Sequence, residues 1–199
     1  MPKVAVVYYS ATGTNHATAQ AVAEGARAAG AEVRVRLIQE TAPQAAVESR
    51  EDWKAFVEST KDEPKAEPAD LEWADAVVFG SPTRFGNTAS QFQSFIDTLG
   101  GLWFQGKLAD KVYAGFTSAQ NAHGGQEATL LALYTTIHHF GGYIVTNGYT
   151  DGSVFAAGGN PYGPSVTTGP EGNGPTEEDL AQARYLGQRV TKVAAKLVD

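Results

Sequence analysis

A hexapeptide of hydroxyl, glycine and amide residues, Ser10–Asn15 (Ser-Ala-Thr-Gly-Thr-Asn), is the part of the chain best suited to chemistry. It follows the apolar run Val4–Tyr9 and precedes residues with helical spacing, which predicts a loop between a strand and a helix. Unpaired N–H groups at the start of a helix, together with the helix dipole, favour a phosphate group. We therefore expect Ser10, Thr12, Thr14 and the loop's backbone amides to bind a phosphate monoester.

The composition of this loop argues against other phosphate sites. It contains no Lys or Arg and does not fit G-x-x-x-x-G-K-[ST], so a nucleoside triphosphatase is disfavoured. It also lacks the G-x-G-x-x-G pattern of ordinary dinucleotide folds. An anion site without lysine suits a bound cofactor better than a phosphoryl group in transfer. The alternative, a plain strand–helix turn with Thr14 or Asn15 as N-cap, stays open at this point.

Two further loops combine small and polar residues. Residues 80–88 include two glycines, which let the backbone approach a flat ligand closely. Arg84 is the one strong cation of these loops, placed to stabilise negative charge on a reduced ring or to approach the phosphate. Residues 117–127 are rich in small and amide-bearing side chains, which suit hydrogen bonds to a neutral polar ring. For the first of these loops, a structural turn with a solvated arginine is the alternative.

The elements that must position these loops predict a parallel α/β sheet. Continuous apolar runs at 4–9, 76–79 and 112–116 indicate interior strands covered on both faces. Residues 32–37 alternate between polar and apolar, which indicates an edge strand, and a fifth strand is expected at 143–146. Alternation with helices favours a flavodoxin-like doubly wound five-stranded sheet of order 2-1-3-4-5, with helices on both faces. Ligands of such sheets bind at the carboxyl ends of the strands, where the loops lie.

The helices are predicted at the segments with helical spacing, and the remaining segments are predicted to be insertions. The predicted helices cover residues 19–29, 51–58, 89–99, 126–139 and 177–197. We expect residues 1–199 to form a single domain with insertions near 41–69 and 147–175. The second insertion is dense in Gly and Pro and is predicted to be irregular.

Composition narrows the class of protein further. The 199 residues contain no cysteine, which excludes disulfides, thiolate metal sites and a cysteine nucleophile. The net charge of −7 and the lack of a basic cluster disfavour nucleic acid as a partner. The sequence shows neither a secretory signal nor an apolar run of membrane-spanning length, so we expect a cytoplasmic protein. No metal is expected, because the adjacent His138 and His139 would point about 100° apart on a helix.

An ordered set of motifs resembles the WrbA family, the type IV FMN-dependent NAD(P)H:quinone oxidoreductases. Residues 10–15 are similar to the flavodoxin phosphate loop [ST]-x-T-G-x-T, with Asn15 where threonine is usual. The similarity runs from Lys3 to about Leu197. The other motifs that carry it are Gly80–Asn87, Gly100–Trp103, Gly124–Glu127, His138-His139 and Pro161–Gly163.

This resemblance implies FMN as cofactor and a two-electron reduction of quinones by NADH or NADPH. The residues implied to bind FMN are Ser10, Ala11, Thr12, Gly13, Thr14, Asn15, Thr83, Arg84, Phe85, Asn87, Ser118, Ala119, Gln120, Asn121, Ala122, His123, Gly124 and His139. Thr12 and Trp103 are implied to contact substrate. The family's tetrameric assembly implies a homotetramer, in which His139, the one candidate for a catalytic role, serves a neighbouring subunit's site.

Alternatives from two other classes stay open at this point. One is a one-electron carrier like the flavodoxins, and the other is a binding or regulatory protein with an idle flavin. The modest acidity, Trp103 and the Gly-rich segment 147–175 argue against the carrier, because they favour a filled pocket over a bare flavin edge. Trp103 as a core residue and His139 without a role are the corresponding structural alternatives.

Overall fold

Strands and helices alternate along the chain in the computed structural model, which describes residues 1–197. The strands are β1 (Lys3–Tyr8), β2 (Glu32–Leu37), β3 (Ala76–Pro82), β4 (Val112–Ala119), β5 (Tyr143–Ile144) and β6 (Ser165–Thr167). The helices are α1 (Thr14–Ala28), α2 (Gln44–Glu48), α3 (Glu51–Ser59), α4 (Pro68–Trp73), α5 (Ser90–Asp97), α6 (Gly100–Phe104), α7 (Gln126–Phe140), α8 (Gly152–Ala156) and α9 (Glu177–Ala194). The last two residues of the predicted domain lie outside the described residues.

The strands form one parallel sheet in the predicted order, β2-β1-β3-β4-β5. β1, β3 and β4 are buried almost throughout, since apolar clusters cover both faces of the sheet. β2 lies at the edge and is mostly half-buried, as its alternating pattern predicts. At the carboxyl end, Tyr8 is opposite Gly80 and Pro82 is opposite Ser118, so the three loops leave the sheet side by side.

The fifth position of the sheet is divided between two short strands. β5 pairs with the amino-terminal half of β4, and β6 pairs with its carboxyl-terminal half. The predicted strand 143–146 therefore ends at Ile144, and after a last hydrogen bond from Val145 N–H to Tyr113 O the chain leaves the sheet until Pro164 accepts from Thr117 N–H. The segment 147–175, predicted to be irregular, contains both α8 and β6. Strands of two and three residues are too short to display a periodicity that a sequence could reveal.

The helix boundaries also differ from the sequence pattern at several places. α1 is capped by Gly13 rather than by Thr14 or Asn15, and Gly13 adopts a left-handed φ of 101°. α5 lies within the predicted range 89–99, and α9 ends at Ala194, before the predicted end at 197. α2, α4, α6 and α8 were not predicted, because five or six residues are too few for a helical pattern.

α1 and α9 pack against each other with their backbones in close contact at two glycines. A Cβ on Gly25 would lie 1.9 Å from the carbonyl oxygen of Arg184, and one on Gly187 would lie 2.0 Å from that of Val22. Glycine is thus required on both helices at this crossing. The contact fixes α1, whose first two residues, Thr14 and Asn15, belong to the loop Ser10–Asn15. No helix among residues 1–197 is both long and apolar enough to cross a lipid bilayer.

The insertion 41–69 is attached to the edge of the sheet. Leu37 at the end of β2 donates its N–H to the carbonyl of Pro64, at 3.1 Å, and accepts from Ala66 at 2.9 Å. The buried carboxylate of Asp70 in α4 accepts from Arg36 of β2 at 2.9 Å. The predicted helix over 51–58 is confirmed as α3. These attachments hold α3 over the loop Ser10–Asn15.

Candidate functional site

The three polar loops converge on one cleft at the carboxyl ends of the strands. Its volume is about 740 Å³, within the range of roughly 300–1,000 Å³ usual for small-molecule sites. We call it the cleft. The residues that line it are Ser10, Ala11, Thr12, Thr14, Asn15, Arg50, Asp52, Pro82, Thr83, Arg84, Phe85, Ser118, Ala119, Gln120, Asn121, Gly124, Thr168, Gly169, Pro170, Glu171 and Gly172.

The first loop presents donors and one unpaired acceptor to the cleft. The N–H of Gly13 donates to Ser10 Oγ at 3.0 Å, which closes the loop tightly. Asn15 is almost fully buried, and its Nδ2 donates to the carbonyl of Tyr9 at 3.2 Å. Its Oδ1 has no hydrogen-bond partner among the described residues. A buried amide oxygen without a partner costs free energy, and Gln126 Oε1 at the end of the third loop is left unpaired in the same way.

The second loop is a tight turn that exposes an aromatic ring. Arg84 N–H donates to Asn87 O at 2.7 Å, and Asn87 N–H donates back to Arg84 O at 3.1 Å. The two central residues have positive φ, 54° at Phe85 and 79° at Gly86. This conformation costs a residue such as Phe85 about 1–2 kcal/mol, yet its ring is fully exposed and gains nothing from packing. A strained, exposed aromatic beside a cleft favours a role in contacting a ligand or partner.

Thr83 joins the second loop to the third. Its hydroxyl donates to Gly124 O at 3.2 Å and accepts from Thr129 of α7 at 2.8 Å. The two loops also touch directly, since a Cβ on Gly125 would lie 2.9 Å from the Cα of Gly86. These contacts join the second and third loops into one rigid unit.

The third loop supports a wall that the sequence did not assign to particular residues. Thr168 N–H donates to Ala119 O at 2.9 Å, and Gly169 N–H donates to Gln120 O at 3.0 Å. Residues 168–172, which follow β6, are thereby held along the cleft. The length and Gly content of 147–175 were the only signals for this wall, because β6 is too short to be predicted.

Arg50 and Asp52 line the cleft from the insertion and were also missed by the sequence. Their helix, α3, is joined to the first loop through Glu40. That carboxylate accepts hydrogen bonds from Tyr9 at 2.6 Å and from Trp53 of α3 at 2.8 Å. No local pattern could reveal Arg50 and Asp52, since they reach the cleft only through this long-range packing.

Burial and hydrogen bonding shift the titration of this network. Burial alone would raise the pKa of Glu40, but donors from Tyr9, Ala42, Gln91 and Trp53 outweigh it and lower the pKa. Burial, with the hydrogen bond to Glu40, raises the pKa of Tyr9 far above its usual value. Glu40 therefore stays a carboxylate and Tyr9 a neutral phenol at physiological pH, which keeps the first loop attached to the insertion.

His139 and Trp103 lie together, but outside the cleft. Trp103 Nε1 donates to His139 O at 2.9 Å. They line a second depression of about 380 Å³, which we call the groove, formed by Ile96, Asp97, Leu99, Gly100, Trp103, Thr136, His139 and Phe140. α7 begins beside Gly124 at the cleft and runs about 22 Å to the groove over its 15 residues. The groove and the cleft of one chain are thus at opposite ends of this helix.

The predicted residues are accordingly distributed in three groups. Most line the cleft. Four others belong to its loops without lining it: Gly13, Asn87, Ala122 and His123. Of these, Gly13 and Asn87 make backbone hydrogen bonds that close their turns. The third group, Trp103 and His139, lines the groove.

The chain matches the model of the NADPH-dependent FMN reductase family over residues 2–153. The chain belongs to this family. A relative from Deinococcus radiodurans named NAD(P)H dehydrogenase (quinone) is 54% identical over 98% of this chain and 97% of its own length. A relative of the same name from Azorhizobium caulinodans is 46% identical over 99% of both chains.

Solved structures place the fold among the flavodoxins. The WrbA-like flavodoxin from Agrobacterium tumefaciens is 29% identical, covers 98% of this chain and 99% of its own, and superposes with a TM-score of 0.71. An archaeal flavodoxin shares the fold at 18% identity, with a TM-score of 0.65 over 97% of this chain and 99% of its own. These findings confirm the flavodoxin-like fold and the resemblance to the WrbA family.

The described residues fit the cofactor after which the family is named. The hydroxyl and N–H donors of residues 10–15 match a phosphate group, which only accepts at neutral pH. Asn15 lines the cleft beside these donors, and its Oδ1 is unpaired within residues 1–197. Glycines 124 and 125 let the loops behind the cleft pack closely, since a Cβ on Gly124 would lie 2.6 Å from that of Ala119 and one on Gly125 would lie 2.9 Å from the Cα of Gly86.

Proposed function

We propose that this protein reduces quinones to quinols with NADH or NADPH on FMN bound in the cleft. The observation that carries the proposal is the convergence of the three loops on a cleft of cofactor size, with the Asn15 acceptor in its wall. Full-length relatives named NAD(P)H dehydrogenase (quinone) support the reaction. Since NAD(P)H is a reductant of the cytoplasm, we place the activity there.

Residues 10–15 would hold the FMN phosphate, and the second and third loops would hold the ring. Thr83, Arg84 and Phe85 would lie on one side of the ring, and Ser118–Gly124 at its polar edge. FMN when bound accepts two electrons from NAD(P)H and passes them to a quinone, so the hard chemistry belongs to the cofactor. The protein's part is to fix the ring and to align each substrate over it in turn.

Substrate binding would be completed by a second copy of the chain. Because α7 separates the groove from the cleft by about 22 Å, Trp103 and His139 are too far to act on their own chain's flavin. Trp103 and Phe104 of α6 are exposed, which supports their burial against another subunit. We propose a homotetramer in which His139 and Trp103 face a neighbour's cleft, with His139 a candidate to protonate the quinol oxygen.

The test is spectroscopic. The purified protein is titrated with FMN, then reduced anaerobically with NADPH or NADH, and finally mixed with benzoquinone. We expect saturable FMN binding, bleaching of the flavin by NAD(P)H, and return of its colour on quinone addition. A one-electron carrier would not be bleached rapidly by NAD(P)H alone, and a protein with an idle flavin would give no steady-state NAD(P)H oxidation. Either result would contradict the proposal.

Arg84→Ala tests the placement of the second loop. The side chain is exposed, and its Nη1 donates only within its own loop, to Thr83 O at 3.0 Å. The variant should fold normally but retain FMN less tightly or be reduced more slowly. Unchanged FMN affinity together with unchanged kinetics would show that this loop does not contact the flavin.

A further inference from the structure

Two cations line the cleft, although the first loop itself contains neither lysine nor arginine. They are Arg84 of the second loop and Arg50 from the insertion. Carboxylates of Asp52 and Glu171 line the cleft as well. A cation beside a dianionic phosphate strengthens its binding beyond what N–H groups and hydroxyls provide, and the two arginines belong to different parts of the cleft wall.

Arg84 belongs to the part of the cleft formed by the second and third loops, where we propose that the flavin ring binds. Its backbone closes the turn with Asn87, and its guanidinium donates to Thr83 O. Thr83 in turn is bonded to the third loop at Gly124. Arg84 is thus part of the unit formed by the second and third loops, although its charge also reaches the Tyr9 hydroxyl, where it opposes the rise in the pKa of that group.

Arg50 belongs to the part of the cleft beside the first loop, where we propose that the phosphate binds. It directly precedes α3, and α3 packs over the first loop. A Cβ on Gly13 would lie 3.5 Å from the ring of Phe56, in ordinary contact. Trp53, one turn earlier, shares the carboxylate of Glu40 with Tyr9, the residue just before the loop. The helix that carries Arg50 is therefore fixed to the first loop at two points.

The guanidinium of Arg50 pairs with the carboxylate of Asp52 and keeps part of its donor set free. Nε donates to Asp52 Oδ1 at 3.2 Å and Nη2 donates to Oδ2 at 2.5 Å. Nη1 makes no hydrogen bond within residues 1–197. The hydrogen bond from Arg50 lowers the pKa of Asp52, so the partner remains charged at neutral pH. A guanidinium oriented in this way can bind a phosphate oxygen through Nη1 without leaving Asp52.

We propose that Arg50 is a phosphate-binding residue of the cleft, positioned by Asp52. Two ligands of the proposed reaction carry such a group, the 5′-phosphate of FMN and the phosphates of the dinucleotide. The insertion 41–69 would then supply the charge that the first loop lacks. The inference rests on the proposed function, because it assumes that these ligands enter the cleft.

The first arm of the test measures flavin binding by calorimetry. Arg50→Ala is compared with wild type for FMN and for riboflavin, which lacks the phosphate. If Arg50 binds the FMN phosphate, the variant should bind FMN about tenfold more weakly and riboflavin equally well. The salt dependence of FMN binding should also become shallower, as expected when one ionic contact is removed. A role in folding alone would not distinguish FMN from riboflavin.

The second arm measures NADPH and NADH binding to the FMN-saturated protein. If Arg50 serves the dinucleotide instead, FMN affinity is unchanged and both dinucleotides bind about tenfold more weakly. A loss confined to NADPH would assign Arg50 to the 2′-phosphate. Each of these results supports phosphate binding and names its source.

Lys61→Ala is the matched control. Lys61 is a cation of the same insertion, pairs with Glu58 in the same way, and does not line the cleft. If Arg50→Ala and Lys61→Ala give the same affinities in both arms, the proposal is overturned. The proposed function fails separately, if wild type itself takes up no FMN. The Arg50→Ala and Lys61→Ala variants should both fold, because exposed ion pairs contribute little stability.

Discussion

The two ends of α7 differ in how they are built. At the amino-terminal end, the cleft is enclosed by three loops joined through backbone and hydroxyl hydrogen bonds, with Thr83 at their junction. At the carboxyl-terminal end, the groove is a shallow depression in which Trp103 is half exposed. A Cβ on Gly100 would meet nothing there, whereas one on Gly125 would strike backbone.

This difference indicates two ways of making a site. The cleft is enclosed by loops of one chain that hydrogen bonds and close contacts hold together, as expected for a cofactor site. The groove offers an open apolar and aromatic surface, as expected for a face that would be covered in the proposed homotetramer. Substitutions at the two ends should therefore affect different properties.

The largest contrast is expected between alanine at the two glycines. Gly125→Ala adds a Cβ 2.9 Å from the Cα of Gly86 at a φ of 87°, so we expect a loss of about 3 kcal/mol in the free energy of unfolding. FMN affinity should fall with it, because the second and third loops separate. Gly100→Ala should stay within about 0.5 kcal/mol of wild type. Urea denaturation and FMN titration measure both, and equal losses at the two positions would remove the distinction between rigid and open ends.

Trp103→Ala should separate cofactor binding from catalysis. We expect FMN affinity to be unchanged, because the residue is at the far end of α7 from its own cleft. The kcat/KM for quinone should fall by roughly 10- to 100-fold, and the assembly should weaken, since an aromatic side chain that we propose to lie between subunits is lost. Steady-state kinetics and sedimentation velocity provide the readouts. A drop in FMN affinity alone, with intact assembly, would contradict the assignment of cofactor binding to the cleft and of assembly to the groove.

Glu40→Gln tests the attachment of the insertion to the first loop. Loss of charge-assisted hydrogen bonds should cost about 1–2 kcal/mol of unfolding free energy at pH 7. The pKa of Glu40 is lowered by folding, from about 4.3 in an unfolded chain. Its contribution is therefore complete above about pH 4.3 and is lost as the pH falls through the folded pKa. Stability curves of the two proteins should converge in acid, and parallel curves would exclude a charged Glu40 as the cause.

The smallest effect is expected at Phe85, and it has the opposite sign. Phe85→Gly relieves a φ of 54° without removing any packing, so the unfolding free energy should rise by about 0.5–1 kcal/mol. The same change should reduce quinone turnover if the ring contacts a ligand or a neighbouring subunit. Thermal unfolding and turnover are measured together. Destabilisation would mean that the ring packs within its own chain.

The sequence predicted the sheet and most of the cleft, because both follow from local patterns. Buried and alternating runs define strand order, and the order brings residues 10–15, 83–87 and 118–124 to one edge. Arg50 was beyond reach, since it depends on how Trp53 and Glu40 pack an insertion of short helices. Residues 168–172 were missed because the strand that aims them is three residues long.

The reciprocal glycine crossing of α1 and α9 has a consequence for biosynthesis. α1 ends at Ala28 and α9 begins at Glu177, so the ribosome must add nearly 150 residues before the partner helix exists. At translation rates of about 5–20 residues per second, the nascent chain waits on the order of ten seconds or more with that face of α1 bare. We expect flavin capture to follow this late docking, so that newly made protein acquires its colour only after its carboxyl-terminal helix has emerged.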